Sequence, residues 1–344
     1  MKILLCSVPF PPGIGGIEIA SRIFAEEFVR AGHSVTVVTD SLDPEGTAEF
    51  AYPVVRRPSR KQLLELGKQA DIIFQNNIST KTLLPLLPLR KPIVVTTQTW
   101  VARNNGTLGW QDRLKLALLR FVNNVAISKA IADKLPKKST IIGNPFDAAL
   151  FTPYRDVPKT KDIVFLGRLV SDKGCDLALQ ALATLKAEGL TPTFTIIGDG
   201  SERVTLEVMA ENLGISQQVE FLGNLGANRA SAIAEHKVMV VPSRWAEPFG
   251  IVALEGIATG CALVASSGGG LPDAVGPCGL LFPNGDAAAL ATALKKVLID
   301  DASRNQLTAA GPAHLENFTP VHVAKRYLDL FQQLIQGNSR NLPL

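Results

Sequence analysis

The sequence predicts an α/β protein with two domains, each built on a doubly wound parallel sheet. The 344 residues exceed the usual size of a single hydrophobic core, since one domain holds roughly 100–200 residues. Short apolar segments rich in β-branched residues alternate with segments of helical periodicity, which is typical of parallel sheets. This alternation restarts after Asn144-Pro145 and Thr152-Pro153. We therefore expect a cleft between two similar domains.

The first domain is predicted to occupy residues 1–155. Its expected strands are the apolar segments 3–8, 35–39, 71–74 and 93–97. Residues 17–31 are predicted to form a helix because Ala20, Ile23, Phe24 and Phe28 recur at helical spacing.

The second domain is predicted to occupy residues 156–316. Its expected strands are 162–166, 193–197, 219–222, 238–241 and 262–265, with helices at 174–188 and 202–213. In the remaining segment, 317–344, residues 320–337 predict a helix with one apolar face that packs back on the first domain.

Composition excludes several classes of protein. The short apolar start before Pro9 fits neither a signal peptide nor a membrane span, so we expect a cytoplasmic protein. Cysteines without any Cys-x-x-Cys pair argue against a zinc site. Residues 1–155 carry 20 basic and 12 acidic residues, whereas residues 156–344 carry 15 and 19. The excess of basic residues in 1–155 is too modest to predict nucleic-acid binding, and aromatic residues are not interleaved with these charges.

A glycine-bearing turn links the first strand to the first helix. Free amides at Gly15 and Gly16 could bind an anion there, although a plain strand-to-helix turn explains the glycines equally well. A dinucleotide fingerprint would need a third glycine where Glu18 stands, which leaves only Asp40 to support an NAD-dependent oxidoreductase.

Two cations follow the first strand of the second domain. Arg168 and Lys173 can stand together at the carboxyl end of the sheet, where they suit a diphosphate, although solvated surface charges are the ordinary alternative. Gly198 and Leu222-Gly223 close two further strands of that sheet. Ligands of open α/β sheets bind at this edge.

The segment Glu247 to Glu255 carries the strongest signal. Two glutamates flank an apolar stretch that reads as a loop entering a helix, and backbone amides from Phe249, Gly250, Ile251 and Val252 would face a phosphate. One carboxylate could hold sugar hydroxyls and the other a ribose diol. Two exposed helix charges are the alternative, but the apolar neighbours argue against it.

Together these motifs resemble the family 4 retaining glycosyltransferases, which have the GT-B fold of two Rossmann-like domains. The resemblance rests on Gly15-Gly16, Gly167-Arg168 with Lys173-Gly174, Glu-x7-Glu at 247–255, and the segment Ser267 to Asp273. It implies an acceptor-binding first domain and a second domain that binds the nucleotide sugar.

The resemblance also implies residue roles. Arg168 and Lys173 would bind the donor diphosphate, Glu247 the donor sugar, Glu255 the ribose, and Gly16 would lie near the distal phosphate. Glu247, Arg168 and Lys173 are the expected catalytic residues, while Gly198, Leu222 and Gly223 would border the base. The reaction would be metal-independent and without a cofactor, and the sequence contains no Asp-x-Asp.

One position departs from the family. Many relatives have a histidine after the fourth strand, where this sequence has Gln98, which can orient a ligand but cannot act as a base. The expected reaction moves a hexose, with UDP-glucose as first candidate donor, to a glycan or lipid-linked acceptor in polysaccharide or cell-envelope synthesis. A sugar-nucleotide epimerase and a noncatalytic sugar-nucleotide sensor are the rivals.

The basic residues of the first domain indicate what kind of acceptor it binds. Arg56, Arg57, Arg60 and Lys61 form one basic run that favours an anionic or lipid-linked acceptor. Residues 109–121 have the makeup of a basic helix that could touch the inner face of a membrane, although a half-buried helix is the more ordinary reading.

Overall fold

The computed structural model describes residues 1–13, 15–44, 46, 48–102 and 107–339, so residues 340–344 of the predicted C-terminal segment lie outside the described chain. The chain divides into two compact units. The first comprises Met1–Pro145 together with the segment from Thr319 onward, and the second comprises Phe146–Phe318. The sequence pattern had placed these divisions after residues 155 and 316.

The first unit is a parallel sheet with helices. Its strands are β1 (Lys2–Cys6), β2 (Ser34–Thr39), β3 (Val54–Arg56), β4 (Ile72–Asn76), β5 (Ile93–Thr97), β6 (Asn123–Ala126) and β7 (Thr140–Ile141). Its helices up to Pro145 are α1 (Gly16–Arg30), α2 (Arg60–Gln69), α3 (Thr80–Leu86), α4 (Trp110–Leu118) and α5 (Lys129–Ala132). The described strands follow the order β3-β2-β1-β4-β5-β6-β7. The strand order therefore reverses between β1 and β4.

The second unit repeats this design. Its strands are β8 (Lys161–Leu166), β9 (Phe194–Ile197), β10 (Val219–Gly223), β11 (His236–Val241), β12 (Ala262–Ser266) and β13 (Gly279–Phe282). Its helices are α6 (Ala148–Phe151), α7 (Cys175–Ala187), α8 (Arg203–Asn212), α9 (Arg229–Ala234), α10 (Ile251–Ala258), α11 (Leu271–Val275), α12 (Ala287–Ile299), α13 (Asp301–Ala309) and α14 (Gly311–Glu316). The parallel order β10-β9-β8-β11-β12-β13 reverses between β8 and β11.

The final helix, α15 (Pro320–Ser339), belongs to the first unit. Tyr327 and Phe331 are fully buried against the aromatic rings of Phe24, Phe28 and Phe74. The Tyr327 hydroxyl also lies 2.9 Å from the Thr96 hydroxyl on β5. A core residue of this size buries apolar area worth about 2 kcal/mol or more, so α15 is part of the first unit's core.

Both sheets are parallel and carry helices, which confirms the predicted fold class. The expected strands appear within a few residues of their predicted bounds, whereas β3, β6, β7 and β13 had not been predicted. The four cysteines are buried free thiols. No helix among the described residues is long and apolar enough to cross a membrane.

Candidate nucleotide-sugar site

The predicted residues of the second unit gather where its strand order reverses. Arg168 and Lys173 follow β8, and Ser243 and Glu247 follow the neighbouring strand β11. A reversal of strand order leaves a crevice at the carboxyl ends of the two strands, because their connections leave in opposite directions. Four polar side chains separated by up to 79 positions thus reach one edge of the sheet.

Backbone contacts fix the loop after β8 to the loop after β11. The amides of Arg244 and Trp245 donate to the Asp172 carbonyl at 2.9 and 3.3 Å. Gly174 has a φ of 67°, and a Cβ atom there would lie 2.0 Å from the Pro242 carbonyl oxygen. Only glycine allows this approach, because any side chain would collide with the backbone. The Gly174 turn therefore sets the position of Lys173.

Glu247 is the centre of the cluster. Its Oε1 accepts hydrogen bonds from Lys173 Nζ at 2.5 Å and from Ser243 Oγ at 2.8 Å. The side chains of Lys173 and Glu247 are 23% and 11% exposed. Glu247 Oε2 has no hydrogen-bond partner in the described chain, so a ligand hydroxyl could donate to it.

The main chain of Glu247 is held as firmly as its side chain. Its carbonyl accepts from the Gly270 amide at 2.6 Å, and a parallel bridge joins Glu247 to Gly269. Asn284 donates to the Ser243 carbonyl at 3.0 Å, and Ser266 Oγ donates to it at 2.7 Å. The glycine-rich segment after β12 thus buttresses this carboxylate.

Arg168, unlike Lys173, has no side-chain partner among the described residues. Its side chain is exposed, and its guanidinium makes no hydrogen bond or ion pair with any residue that the structure describes. A guanidinium with all of its donors free can bind a phosphate in a bidentate manner. The cluster therefore offers one free and one partly engaged cation.

The segment from Phe249 forms a loop that enters α10, as predicted. The Phe249 side chain is buried and packs against Phe318 with ring centroids 5.6 Å apart, so only its backbone can face a ligand. Gly250 precedes the helix, and Ile251 and Val252 form its half-buried first turn. Amides of a first helical turn lack partners within the helix and favour an anion.

Glu255 lies inside α10 and is buried. Its Oε1 stands 3.6 Å from an Arg229 guanidinium nitrogen on α9. Burial raises the pKa of Glu255 to about 7, with Asp147 adding to the rise and Arg229 opposing it. The Arg229 guanidinium also lies over the Phe151 ring at 5.1 Å and donates to the Gly226 carbonyl at 2.8 Å. Arg229 is thus fixed on three sides.

Two predicted turns lie at the same sheet edge. The Gly198 amide after β9 donates to the carbonyl of Gly223, which ends β10, at 2.8 Å. Leu222 is half-buried beside it. These backbone groups are thus at the edge that carries Arg168 and Glu247, farther from the strand reversal.

In the first unit, Gly15 precedes α1 and Gly16 is its first residue, one position before the predicted start of this helix. A Cβ atom on Gly15 would lie 2.5 Å from Glu18 Oε2, so the carboxylate of Glu18 lies beside this turn. A carboxylate in the first turn is favourable to the helix dipole, and it competes with an external phosphate for the same place. An anion at this turn would require Glu18 to turn away.

Gln98 is buried in a network of amides. Its Nε2 donates to Asn76 Oδ1 at 2.7 Å and to Asn144 Oδ1 at 2.9 Å, while its Oε1 accepts from Asn144 Nδ2 at 2.6 Å. Its backbone amide donates to Asn77 Oδ1 at 3.3 Å. The side chain is thus engaged at both polar ends, which suits an orienting residue.

Arg56 differs from the rest of the basic run of the first unit. Arg56 donates to the carbonyls of Ser41 and Pro11 at 2.9 Å each and pairs with Asp43, so it stabilises a loop. Arg57 donates to the Asp40 carbonyl. Arg60 and Lys61 are exposed.

Some elements of the site had no sequence signal. Arg229 stands in a short helix, and only the fold brings it to Glu255. Ser243 stands four positions before Glu247 in the sequence, and nothing in the spacing marks it as a partner of that carboxylate. Across the described residues, no group of three or more His, Cys, Asp or Glu side chains could hold a metal ion.

Residues 150–314 match the family described as Glycosyl transferases group 1. A D-inositol 3-phosphate glycosyltransferase of Corynebacterium urealyticum is 37% identical over 51% of this chain and 43% of its own length. The chain thus spans less than half of the relatives it resembles in this region.

A GDP-mannose-dependent alpha-(1-6)-phosphatidylinositol monomannoside mannosyltransferase of Mycolicibacterium smegmatis is 27% identical over 90% of this chain and 92% of its own length. Among solved structures, Anabaena HepE in complex with UDP and glucose superimposes with a TM-score of 0.78 at 21% identity, over 97% of this chain and all of that one. This structural similarity shows that the two proteins share the same fold. In sequence, residues 150–314 thus match the group 1 glycosyl transferases, and the chain shares the GT-B fold of its structural neighbours.

Proposed function

We propose that the protein is a retaining glycosyltransferase that moves a hexose from a nucleotide sugar to a glycan or lipid-linked acceptor. UDP-glucose is the first candidate donor, and polysaccharide or cell-envelope assembly is the setting. The observation that carries this proposal is the cluster of Lys173, Glu247 and Ser243 beside the free Arg168, at the strand reversal of the second unit.

In the proposed reaction, the bond between the donor sugar's anomeric carbon and the diphosphate oxygen breaks while the acceptor hydroxyl attacks from the same face. Arg168 and Lys173 stabilise the charge that develops on the leaving diphosphate, and its oxygen takes the acceptor proton. These two cations supply charge that a metal ion provides in other enzymes, so we expect activity to survive a chelator.

The other residues hold the donor. Glu247 accepts hydrogen bonds from sugar hydroxyls through its free Oε2, while Lys173 and Ser243 fix its Oε1. Glu255 accepts from the ribose, the amides of Gly250 to Val252 contact phosphate, and Gly198 with Leu222-Gly223 borders the base. Gly15 and Gly16 are the candidates for contact with the distal phosphate.

The relatives differ in donor. Anabaena HepE was solved with UDP and glucose, whereas the Mycolicibacterium relative is GDP-mannose-dependent. A thermal-shift screen of UDP-, GDP- and ADP-sugars, with NAD(H) as a negative control, tests the donor class, because a ligand that binds the folded state raises the midpoint. Stabilisation by NAD(H) alone would contradict the proposal.

Glu247→Ala tests the role of the central carboxylate. We expect transfer and donor hydrolysis to fall about 100-fold or more while UDP affinity stays within a few fold, because the lost contacts serve the sugar. Glu188→Ala is the control. Glu188 is a half-exposed glutamate directly after α7, and it pairs with Lys295 on α12. Unchanged turnover in Glu247→Ala would refute the assignment.

Two rival functions make different predictions. A sensor would bind the nucleotide sugar without any turnover, so transfer or donor hydrolysis by the wild type excludes it. An epimerase would need an acid and a base at the site. His236 is the first residue of β11, at the opposite end of that strand from Glu247, and it is buried and bonded to Thr195 and the Ala232 carbonyl. Burial lowers its pKa to about 4.

A further inference from the structure

A cavity of about 650 Å³ opens in the first unit, at the reversal of its strand order. The loop after β1 contributes Val8 and Pro9, the loop after β4 contributes Asn77 to Ser79, and α4 contributes Trp110 and Gln111. We call it the β1–β4 cavity. Its volume is in the ordinary range for small-molecule sites, and its position is where open α/β sheets bind ligands.

The residues that line the cavity include an exposed tryptophan. Trp110 is the first residue of α4 and remains 74% exposed, although it borders the cavity. Leu118 and Leu119 at the other end of the same segment are buried, so the helix already packs its apolar face inward. The exposed indole is therefore not needed to hold α4 in place.

The remaining walls mix apolar and polar groups. Ile17, Ile78 and Leu114 provide apolar surface. Ser79, Thr80, Gln111 and Lys115 also line the cavity, and their side chains make no hydrogen bond to another part of the described chain. A flat aromatic face surrounded by free hydroxyl, amide and ammonium groups matches a sugar ring, which has an apolar C–H face and a rim of hydroxyls.

The floor of the cavity is fixed by a strained residue. Asn77 has a φ of 71°, which non-glycine residues rarely adopt. It is held there by its amide, which donates to the Thr96 carbonyl at 2.9 Å, and by its Oδ1, which accepts from the Gln98 amide at 3.3 Å. Such strain persists where the surroundings impose it, often at binding sites. The Gln98 network thereby orients the cavity floor.

We propose that the β1–β4 cavity binds a sugar ring of the acceptor, with Trp110 stacked on the ring and Ser79, Thr80 and Gln111 bonding its hydroxyls. The inference rests on the proposed function and narrows its acceptor to a saccharide. The cavity includes Ile17, which directly follows the Gly15-Gly16 turn assigned to the donor phosphate. The acceptor ring thus lies beside the residues that face the donor.

A membrane surface is the competing occupant, because Phe121 is 77% exposed and Arg113, Lys115 and Arg120 are close in sequence. A membrane contact would use Trp110 and Phe121 together. The cavity favours a sugar, since Phe121 does not line it and Ser79, Thr80 and Gln111 do.

The test compares Trp110→Ala, Trp110→Phe and Phe121→Ala in the full chain. Saturation-transfer NMR with cellobiose and methyl β-glucoside measures sugar binding, and calorimetry with UDP measures the donor site. We expect Trp110→Ala to weaken sugar binding about tenfold or more, because exposed aromatic anchors carry most of the energy of such contacts. Trp110→Phe should retain most of the binding, and Phe121→Ala all of it.

The outcomes separate this inference from the proposed function. UDP binding with no sugar binding by the wild type, or equal sugar binding by Trp110→Ala, would overturn the inference alone. Failure to bind any nucleotide would overturn the proposed function. Loss of binding to phosphatidylglycerol vesicles in both Trp110→Ala and Phe121→Ala, with sugar binding unchanged, would assign this surface to a membrane instead.

Discussion

At the scale of single residues, Glu255 and Arg229 show how burial and charge oppose each other. Burial disfavours the carboxylate, and Asp147 adds to this effect, while the guanidinium 3.6 Å away favours it. The histidines on two elements packed against α10, His236 on β11 and His314 on α14, are bonded to Thr195 and to the Ala274 carbonyl. The charge on Glu255 therefore changes near neutral pH.

This predicts that donor affinity rises as the pH increases from 6 to 8, because the ionised carboxylate accepts ribose hydroxyls better than the acid does. Calorimetric titration with a nucleotide sugar measures it. Glu255→Gln should flatten the profile, and Arg229→Gln should move its midpoint to higher pH, because the favourable cation is gone. A profile unaffected by both changes would disprove the assignment.

The same group has the opposite effect on stability. Its pKa is raised from 4.5 to about 7 in the folded protein, so the folded state binds more protons than the unfolded state in that window. The contribution of Glu255 to stability thus falls as pH rises from about 4.5 to 7, a range that only partly overlaps the rise of donor affinity between pH 6 and 8.

Sequence motifs located the carboxylates but not their partners. Glu247 and Glu255 stand in a recognisable segment with apolar neighbours, which indicated burial. The contacts of Glu247 with Lys173 and of Glu255 with Arg229 join residues 74 and 26 positions apart, and only the fold brings them together. The sequence likewise did not predict the exposure of Trp110, because residues 109–121 have the makeup of a half-buried helix.

At the scale of elements, the connection between β8 and α7 determines where Lys173 lies. The left-handed residue Gly174 ends the turn Ser171–Lys173 and begins α7. Its approach to Pro242 joins this turn to the end of β11. A rigid turn holds Lys173 against Glu247 without help from a ligand.

Gly174→Ala should therefore destabilise the second unit by about 3 kcal/mol or more, since its Cβ would meet backbone. Gly189→Ala is a matched control in the same unit, with a φ of 82° but no atom within 4 Å, and should cost only the left-handed penalty of about 1–2 kcal/mol. Differential scanning fluorimetry should place the Gly174→Ala midpoint lower. Equal midpoints for Gly174→Ala and Gly189→Ala would show that the backbone at Pro242 moves aside at little cost in stability.

Element prediction succeeded where burial leaves a clear pattern. Strands buried on both faces, such as β4, β5 and β12, read as continuous apolar segments. The unpredicted strands are short, and β3, β7 and β13 lie at the ends of their sheets. An end strand pairs on one side only, so its sequence carries little periodic signal.

At the scale of the whole molecule, the first unit is discontinuous in sequence whereas the second is continuous. Residues 146–318 contain a complete sheet and core, so this fragment should fold alone and keep its affinity for the nucleotide. Residues 1–145 lack α15 and should be insoluble, because the aromatic core around Phe74 would be open. Joining residue 145 to 319 by a short linker should restore a folded first unit. Circular dichroism and gel filtration of the three fragments check this.

The return of α15 also has a consequence during translation. The ribosome releases β1 to β7 long before α15, because the whole of Phe146–Phe318 is synthesised between them. At 5–20 residues per second this delay is on the order of ten seconds or more. During this time the surface of the first sheet that packs against Tyr327 and Phe331 stays exposed. The second unit should therefore reach its native state before the first unit.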